Sequence, residues 1–450
     1  MVTTRRVASA ACAGLTLGAL LLGLATAASA RSTSDQPASI LVYPKIVVSG
    51  TDQNGGTDTV LDISNVNDKL VAAHCWLINA NSHCASDADR AGEPCGDSSE
   101  CHNSAGNYDT ACLAGWSEID FEVKVTPNQP LAWSARDGLR GCFKRDPRDC
   151  GGLEAGEFPI NEPGHCKGFP NISCNPSVPS SAGVCPSGVC EATDSNYGSA
   201  IPGVPEIPFV GALKCIQYST ARDVPDQDAS TTNALIGHAA ITTHGYAVEY
   251  SGEEVERYNA VGLRHIAPMP YDGVVRMDGV QYAKCPSTLV LDHFYDGAPV
   301  MDGPDMIRGG GTLTDLTLVP CGDDFLRQDP GDAVAQIITI NEFEQRLSAA
   351  KKVDCFYESI LSRIDTNRPE RSIFNASVQG SFAGQTLIHG AGISPTGHGL
   401  LGVARLSAGR YYTVGGKPEP YDFSAYGAGA ALNLQQKGSN GGIDLIVQPN

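Results

Sequence analysis

The chain has 450 residues, with Lys+Arg 31 against Asp+Glu 50, a formal net charge of −19, and 50 Gly, 28 Pro and 16 Cys. At 42% hydrophobic it is too apolar for a disordered chain, and its glycines follow no Gly-X-Y period, which excludes a collagen-like rod. So acidic a chain suits the phosphate backbone of nucleic acid poorly, because that backbone is gripped by Lys and Arg clusters.

Residues 1–30 read as a secretory signal. Arg5 and Arg6 precede a short apolar run at 15–25, and Ala28-Ser29-Ala30 supplies the small residues of a cleavage site. The expected location is outside the cell or on its surface, with the periplasm left open. No later run of 18 apolar residues occurs, so membrane insertion is not expected.

Strand signals then follow in order. Segment 39–48 (SILVYPKIVV) is rich in β-branched residues, 57–64 alternates apolar and polar, and 70–78 is apolar again. Turn residues at 52–56 and 65–68 separate them. Short strands are predicted at 121–125 and 131–135. A Cys-, Pro- and Gly-rich stretch covers 136–205, and its end at 201–208 (IPGVPEIP) reads as a stiff linker. Strand-like runs resume at 209–218, 234–242, 247–250, 273–280 and 287–291, and again at 400–406 and 443–447. The fold class is all-β: one or two antiparallel sandwiches with disulfide-stapled loop insertions. Residues 31–270 form the first domain, carrying Cys-rich insertions at 84–112 and 142–190, and 271–450 form a second β-rich domain.

That second domain reads as a repeat of the first. Ile40-Leu41-Val42-Tyr43-Pro44 and Leu316-Thr317-Leu318-Val319-Pro320 are related by an offset of 276, which also carries Asn65 onto Asn341. Segment 342–364 is a test: it has the apolar spacing of a helix, whereas the repeat predicts strands.

Fifteen cysteines follow the signal, twelve of them between Cys75 and Cys215. In an exported chain this density means disulfides before metal. Cys142 with Cys150 and Cys321 with Cys355 are candidate pairs. The odd total leaves one thiol over, and Cys75 is the expected one. His74-Cys75 and His83-Cys84 offer a competing set of zinc or copper ligands.

The strand spacing resembles bacterial immunoglobulin-like domains over roughly a hundred residues. The two cysteine clusters resemble the short Cys-rich inserts of bacterial surface and secreted proteins. Neither resemblance implies an activity.

Catalytic fragments do not assemble into a motif. Leu70-Val71-Ala72-Ala73-His74-Cys75 and Gly96-Asp97-Ser98 resemble the histidine and serine segments of trypsin-like proteases. Val71 and Ser99-Glu100 break that pattern, and Ser98 follows His74 too closely for the second barrel. Asn161-Glu162-Pro163 resembles a glycosidase tripeptide but has no (β/α) units around it. Gly392 to His398 is not the G-x-S-x-G elbow, and His389 and His398 read as loop residues. Gly-Gly-Gly at 309–311 lacks the Lys of a phosphate loop. Asp52, Asn54 and Asp58 lack the distal Glu of a calcium loop. Asn171 and Asn375 head glycosylation sequons.

The sequence therefore points to an exported protein that binds or builds. Its partner is an extracellular protein or glycan, and no catalytic, cofactor or metal residue is assigned. The inserts, with Tyr108 and Trp116, are the candidate surfaces. The alternatives are a hydrolase assembled from distant residues, and a surface subunit that self-associates through the odd Cys or by adding segment 39–48 to a neighbour's sheet.

Overall fold

A computed structural model describes residues 34–50, 56–85, 117–139, 201–218, 232–244, 253–267, 274–299, 310–327, 331–392 and 399–410. It also describes shorter pieces at 94–95, 112–114, 164–166, 169–174, 190–191, 413–414, 417–418, 428–437 and 444–446, and a few single residues. The fold is all-β, with antiparallel sheets and one short α-helix, Ala376–Gln379, among the described residues.

Nine strands build the first unit: β1 (Ile40–Val48), β2 (Thr57–Asn65), β3 (Val71–Asn79), β4 (Ser117–Val125), β5 (Pro130–Ser134), β6 (Phe209–Tyr218), β7 (Leu235–His244), β8 (Glu253–Asn259) and β9 (Val261–Leu263). They form a five-stranded sheet, β9-β1-β6-β3-β4, facing a four-stranded sheet, β8-β7-β2-β5. Strand β2 shows the half-buried alternation expected of an outer sheet: Leu61 and Ile63 point into the core and Val60 points out. Strands β1 and β3 are buried along both faces, so their sequences run apolar without alternating. Between the sheets lie Leu41, Tyr43, Ile46, Leu61, Ile63, Val123, Trp133, Leu213 and Leu235.

The second unit uses β10 (Thr288–Phe294), β11 (Gly310–Pro320), β12 (Asp332–Asn341), β13 (Arg346–Asp354), β14 (Tyr357–Ile360), β15 (Ala383–Ala391), β16 (Leu400–Arg410), β17 (Ala428–Asn433) and β18 (Gln435–Lys437). Its sheets run β18-β10-β15-β12-β13 and β17-β16-β11-β14. This is the first unit's order with each strand replaced by its counterpart in the second.

The registers agree as well. Gly211 stands opposite Asn79, and Gly384 opposite Asn341. Gly237 stands opposite Ile63, and Gly402 opposite Leu318. Each buried Asn ends its strand after an Ile and accepts the backbone N–H two residues on, at 3.0 Å in both units. Each also donates from Nδ2 to a side chain just before the sixth strand: Glu206 at 2.7 Å in one unit and Gln379 at 3.1 Å in the other.

The 276 offset is thereby corrected. It pairs β1 with β11, whereas the topology pairs β1 with β10, and Asn341 matches Asn79 rather than Asn65. Segment 342–364 is strand over most of its length, as the repeat predicted, although through the wrong alignment.

The outer face of the first unit's larger sheet is covered by the second unit. Ile40, Val42, Trp76, Ile78, Ala212 and Ile216 pack with Val319, Cys321, Phe325 and Leu401, and linker residues Val275, Met277 and Tyr282 join them. Trp76 stacks on Phe325, with ring centroids 4.7 Å apart and planes at 3°. Lys45–Glu358 (2.5 Å) and Arg405–Glu256 (2.6 Å) are ion pairs across the same junction. The linker strand Val274–Arg276 pairs with Asp444–Ile446 near the end of the chain.

Four disulfides are described: Cys75–Cys215, Cys84–Cys101, Cys95–Cys112 and Cys285–Cys321. Cys75 is therefore not the odd thiol, because it faces Cys215 directly across β3 and β6. Cys321 is taken by Cys285, which leaves Cys355 free among the described residues. The first insert is stapled by its own two disulfides around three short strands, Ser82–Cys84, Pro94–Cys95 and Cys112–Ala114. Strand addition by segment 39–48 is ruled out, since β1 already pairs with β6 on one side and β9 on the other. No helix among the described residues is long and apolar enough to cross a membrane.

Candidate functional site at the end of the second sandwich

Three strand ends converge at one end of the second unit. Strand β10 finishes with Asp292-His293-Phe294, β12 with Ile340-Asn341, and β15 begins Ala383-Gly384-Gln385. Register places His293 and Asn341 on either side of Gly384. A side chain at Gly384 would overlap the Tyr295 ring, so only glycine lets the strands close here. Together with Glu342, and Leu406 from the facing sheet, these residues line an open cavity of about 540 Å³.

Its polar groups are held in place. Asp292 accepts from Gln385 Nε2 at 2.8 Å. Glu342 accepts from the Ser381 hydroxyl at 2.5 Å and from the Phe382 N–H at 3.2 Å, and the Ser381 bond leads in holding its carboxyl below the usual range. His293 Nδ1 is 3.0 Å from the Phe294 carbonyl, which fixes the proton there. Nε2, 2.7 Å from Thr386 Oγ1, is then the acceptor. Burial lowers its pKa. With both nitrogens engaged and the ring neutral, His293 is a wall of the cavity and not a base aimed into it.

One phenylalanine side chain lines the cavity, and two more are exposed one residue along the chain from lining residues. Phe294 lines the cavity and is 48% exposed. Phe343, next to Glu342, is 66% exposed, and Phe382, next to Ala383, is 52% exposed.

Of these residues the sequence marks Asn341 as a repeat position and Asn341-Glu342 as half of a glycosidase tripeptide, and assigns none of them to a site. His74 lies mid-strand in β3, with Nε2 3.3 Å from Asp120 Oδ2 and its ring against Trp76. Burial lowers its pKa. Ser98, Asn161 to Pro163, Tyr108, Trp116, His398 and residues 52–54 lie outside the described residues. The metal set does not form: Cys75 and Cys84 are in disulfides, and His83 bonds Glu206 at 2.9 and 3.0 Å. Asp58 accepts from Ser134 at 2.5 Å and from two backbone N–H groups. His389 bonds Thr288 at 2.9 Å on β15. Asn375 caps the short helix, with its own sequon Ser377 as donor.

Comparison with known proteins finds no family model and no curated protein that matches the chain.

Proposed function

We propose that this is an exported, bacterial binding protein that acts without catalysis and takes an extracellular glycan at the end of its second sandwich. The observation that carries the reading is the 540 Å³ cavity with the exposed ring of Phe294 in its wall beside Asp292, Asn341 and Gln385. Sugar rings present apolar C–H faces that pack on aromatic rings. Their hydroxyls need a few fixed polar partners, and Asp292, Gln385 and Asn341 are held by internal hydrogen bonds. The signal-like leader and the disulfides support an oxidising, extracellular setting.

The immunoglobulin-like likeness is one of architecture, two antiparallel sheets face to face. The strand order differs from the constant-type arrangement, where the first two strands are sheet neighbours; here β1 and β2 lie in opposite sheets.

The test is a glycan microarray probed with labelled mature protein and its Phe294→Ala variant. Binding to a defined oligosaccharide class, weakened at least about tenfold by the substitution, supports the reading. No bound glycan, or binding indifferent to Phe294, overturns it.

A further inference from the structure

Lys214 and Asp323 meet at the junction of the two sandwiches. Lys214 sits on the outer face of β6, and Asp323 in the turn that follows β11. Their side chains are 1% and 2% exposed and in direct contact. Beside them stand the stacked rings of Trp76 and Phe325. Desolvating two charges costs several kcal/mol per ion, and their attraction repays this only with good geometry.

The hydrogen bonds around the pair use all three N–H groups of the Lys214 ammonium, one of them donated to Asp323 Oδ2. Lys214 Nζ donates to the carbonyls of Pro320, at 2.9 Å, and Cys321, at 3.3 Å. A neutral amine has two N–H groups and one lone pair. Once the third proton has passed to Asp323, the two carbonyls hold these hydrogens and the lone pair is left toward the carboxyl. On the far side, Asp323 Oδ1 accepts the Gly331 N–H at 2.9 Å. That donor is placed where charge would develop on the oxygen. A side chain at Gly331 would overlap the Gly322 carbonyl, so only glycine brings this N–H so close.

We propose that Lys214 and Asp323 condense into an amide that joins the two sandwiches covalently. The ammonium passes one proton to the carboxylate, giving a neutral amine and a carboxylic acid. Nζ attacks Cγ, and the C–N bond forms while the tetrahedral oxygen is held by the Gly331 N–H. Oδ2 leaves with two protons as water. One N–H and one C–O bond are lost, one amide is gained, and nothing is oxidised or reduced. The buried site favours the reaction by expelling that water and by disfavouring the ion pair it replaces. Glu118, whose carboxyl burial lifts to about 7 and which feels the charge of Asp323, adds a group that exchanges protons near neutrality on the same sheet face.

Intact mass of the purified, fully reduced protein decides the matter. The expected mass is one water below that of the sequence, and a protease digest contains one branched peptide joining the Lys214 and Asp323 segments. The Lys214→Arg variant keeps the charge and returns to the full mass. A wild-type protein at full mass overturns the proposal. So does a water loss that persists in Lys214→Arg, because it would arise elsewhere. The branched peptide is read from the wild type, so the test does not depend on the variant folding.

Discussion

Gly237 and Gly402 occupy the same place in the two sandwiches, facing the inner residues Ile63 and Leu318 of the second strand across a ladder that leaves no room for a Cβ. At Gly237 the obstacle is the Tyr43 hydroxyl, which donates to the Asp62 carbonyl at 2.5 Å. At Gly402 it is the Thr317 carbonyl and the Leu318 side chain. Gly237→Ala and Gly402→Ala are each expected to cost about 1–3 kcal/mol through overpacking. Urea midpoints of the two variants check this. A substitution without effect at either site would show that the two ladders are looser than drawn.

Cys75–Cys215 closes a separation of 140 residues, whereas Cys84–Cys101 and Cys95–Cys112 each close 17. The first disulfide restrains the sandwich core itself and the others restrain only the insert. Replacing Cys75 and Cys215 together with Ala should cost about 2–5 kcal/mol. Replacing the insert pairs should leave the main unfolding transition close to wild type. Calorimetry on both sets separates these outcomes.

Cys355 is free, half-buried and packed against the junction core, and desolvation, followed by the charge of Asp323, pushes its thiol well above the ordinary range. A maleimide should modify it slowly in the native protein and rapidly in denaturant. Native labelling as rapid as in denaturant, or a dimer that dissociates on reduction, would contradict this.

Glu118 titrates at about 7 in the folded chain against 4.5 ordinarily, chiefly because burial disfavours its charge. Below pH 4.5 it is protonated in both states. Between 4.5 and 7 the folded chain holds the extra proton, so stability falls as pH rises through that window and stays lower above it. Glu118→Gln should flatten this part of the curve, leaving the slope from Asp296, whose burial lifts it to about 6. Midpoints at pH 5 and pH 8 for both proteins measure the difference.

Strand positions were legible because alternation and β-branched runs survive in single segments such as 57–64 and 209–218. The pairing of the two units was not. The 276 offset matched segments that share only β composition. The informative signals were shorter: Ser39-Ile40-Leu41-Val42 with Ser287-Thr288-Leu289-Val290, Phe209-Val210-Gly211 with Phe382-Ala383-Gly384, and Leu235-Ile236-Gly237-His238-Ala239 with Leu400-Leu401-Gly402-Val403-Ala404. Inserts of unequal length lie between them, so no single offset connects all three. The candidate site was hidden for a related reason. Phe294, Asn341 and Gln385 are far apart in the chain, and only register brings their strand ends together. The cysteine-rich inserts drew attention because their composition is local.

The covered sheet face also sets what can be inherited separately. Cut at the linker, the first sandwich would present Ile40, Val42, Trp76 and Ile216 to water as one apolar patch. Such a fragment would aggregate even with every strand in place. Two copies of one topology have thus become a single selectable unit: either half can drift in its loops, but neither can be lost, shuffled or reused alone.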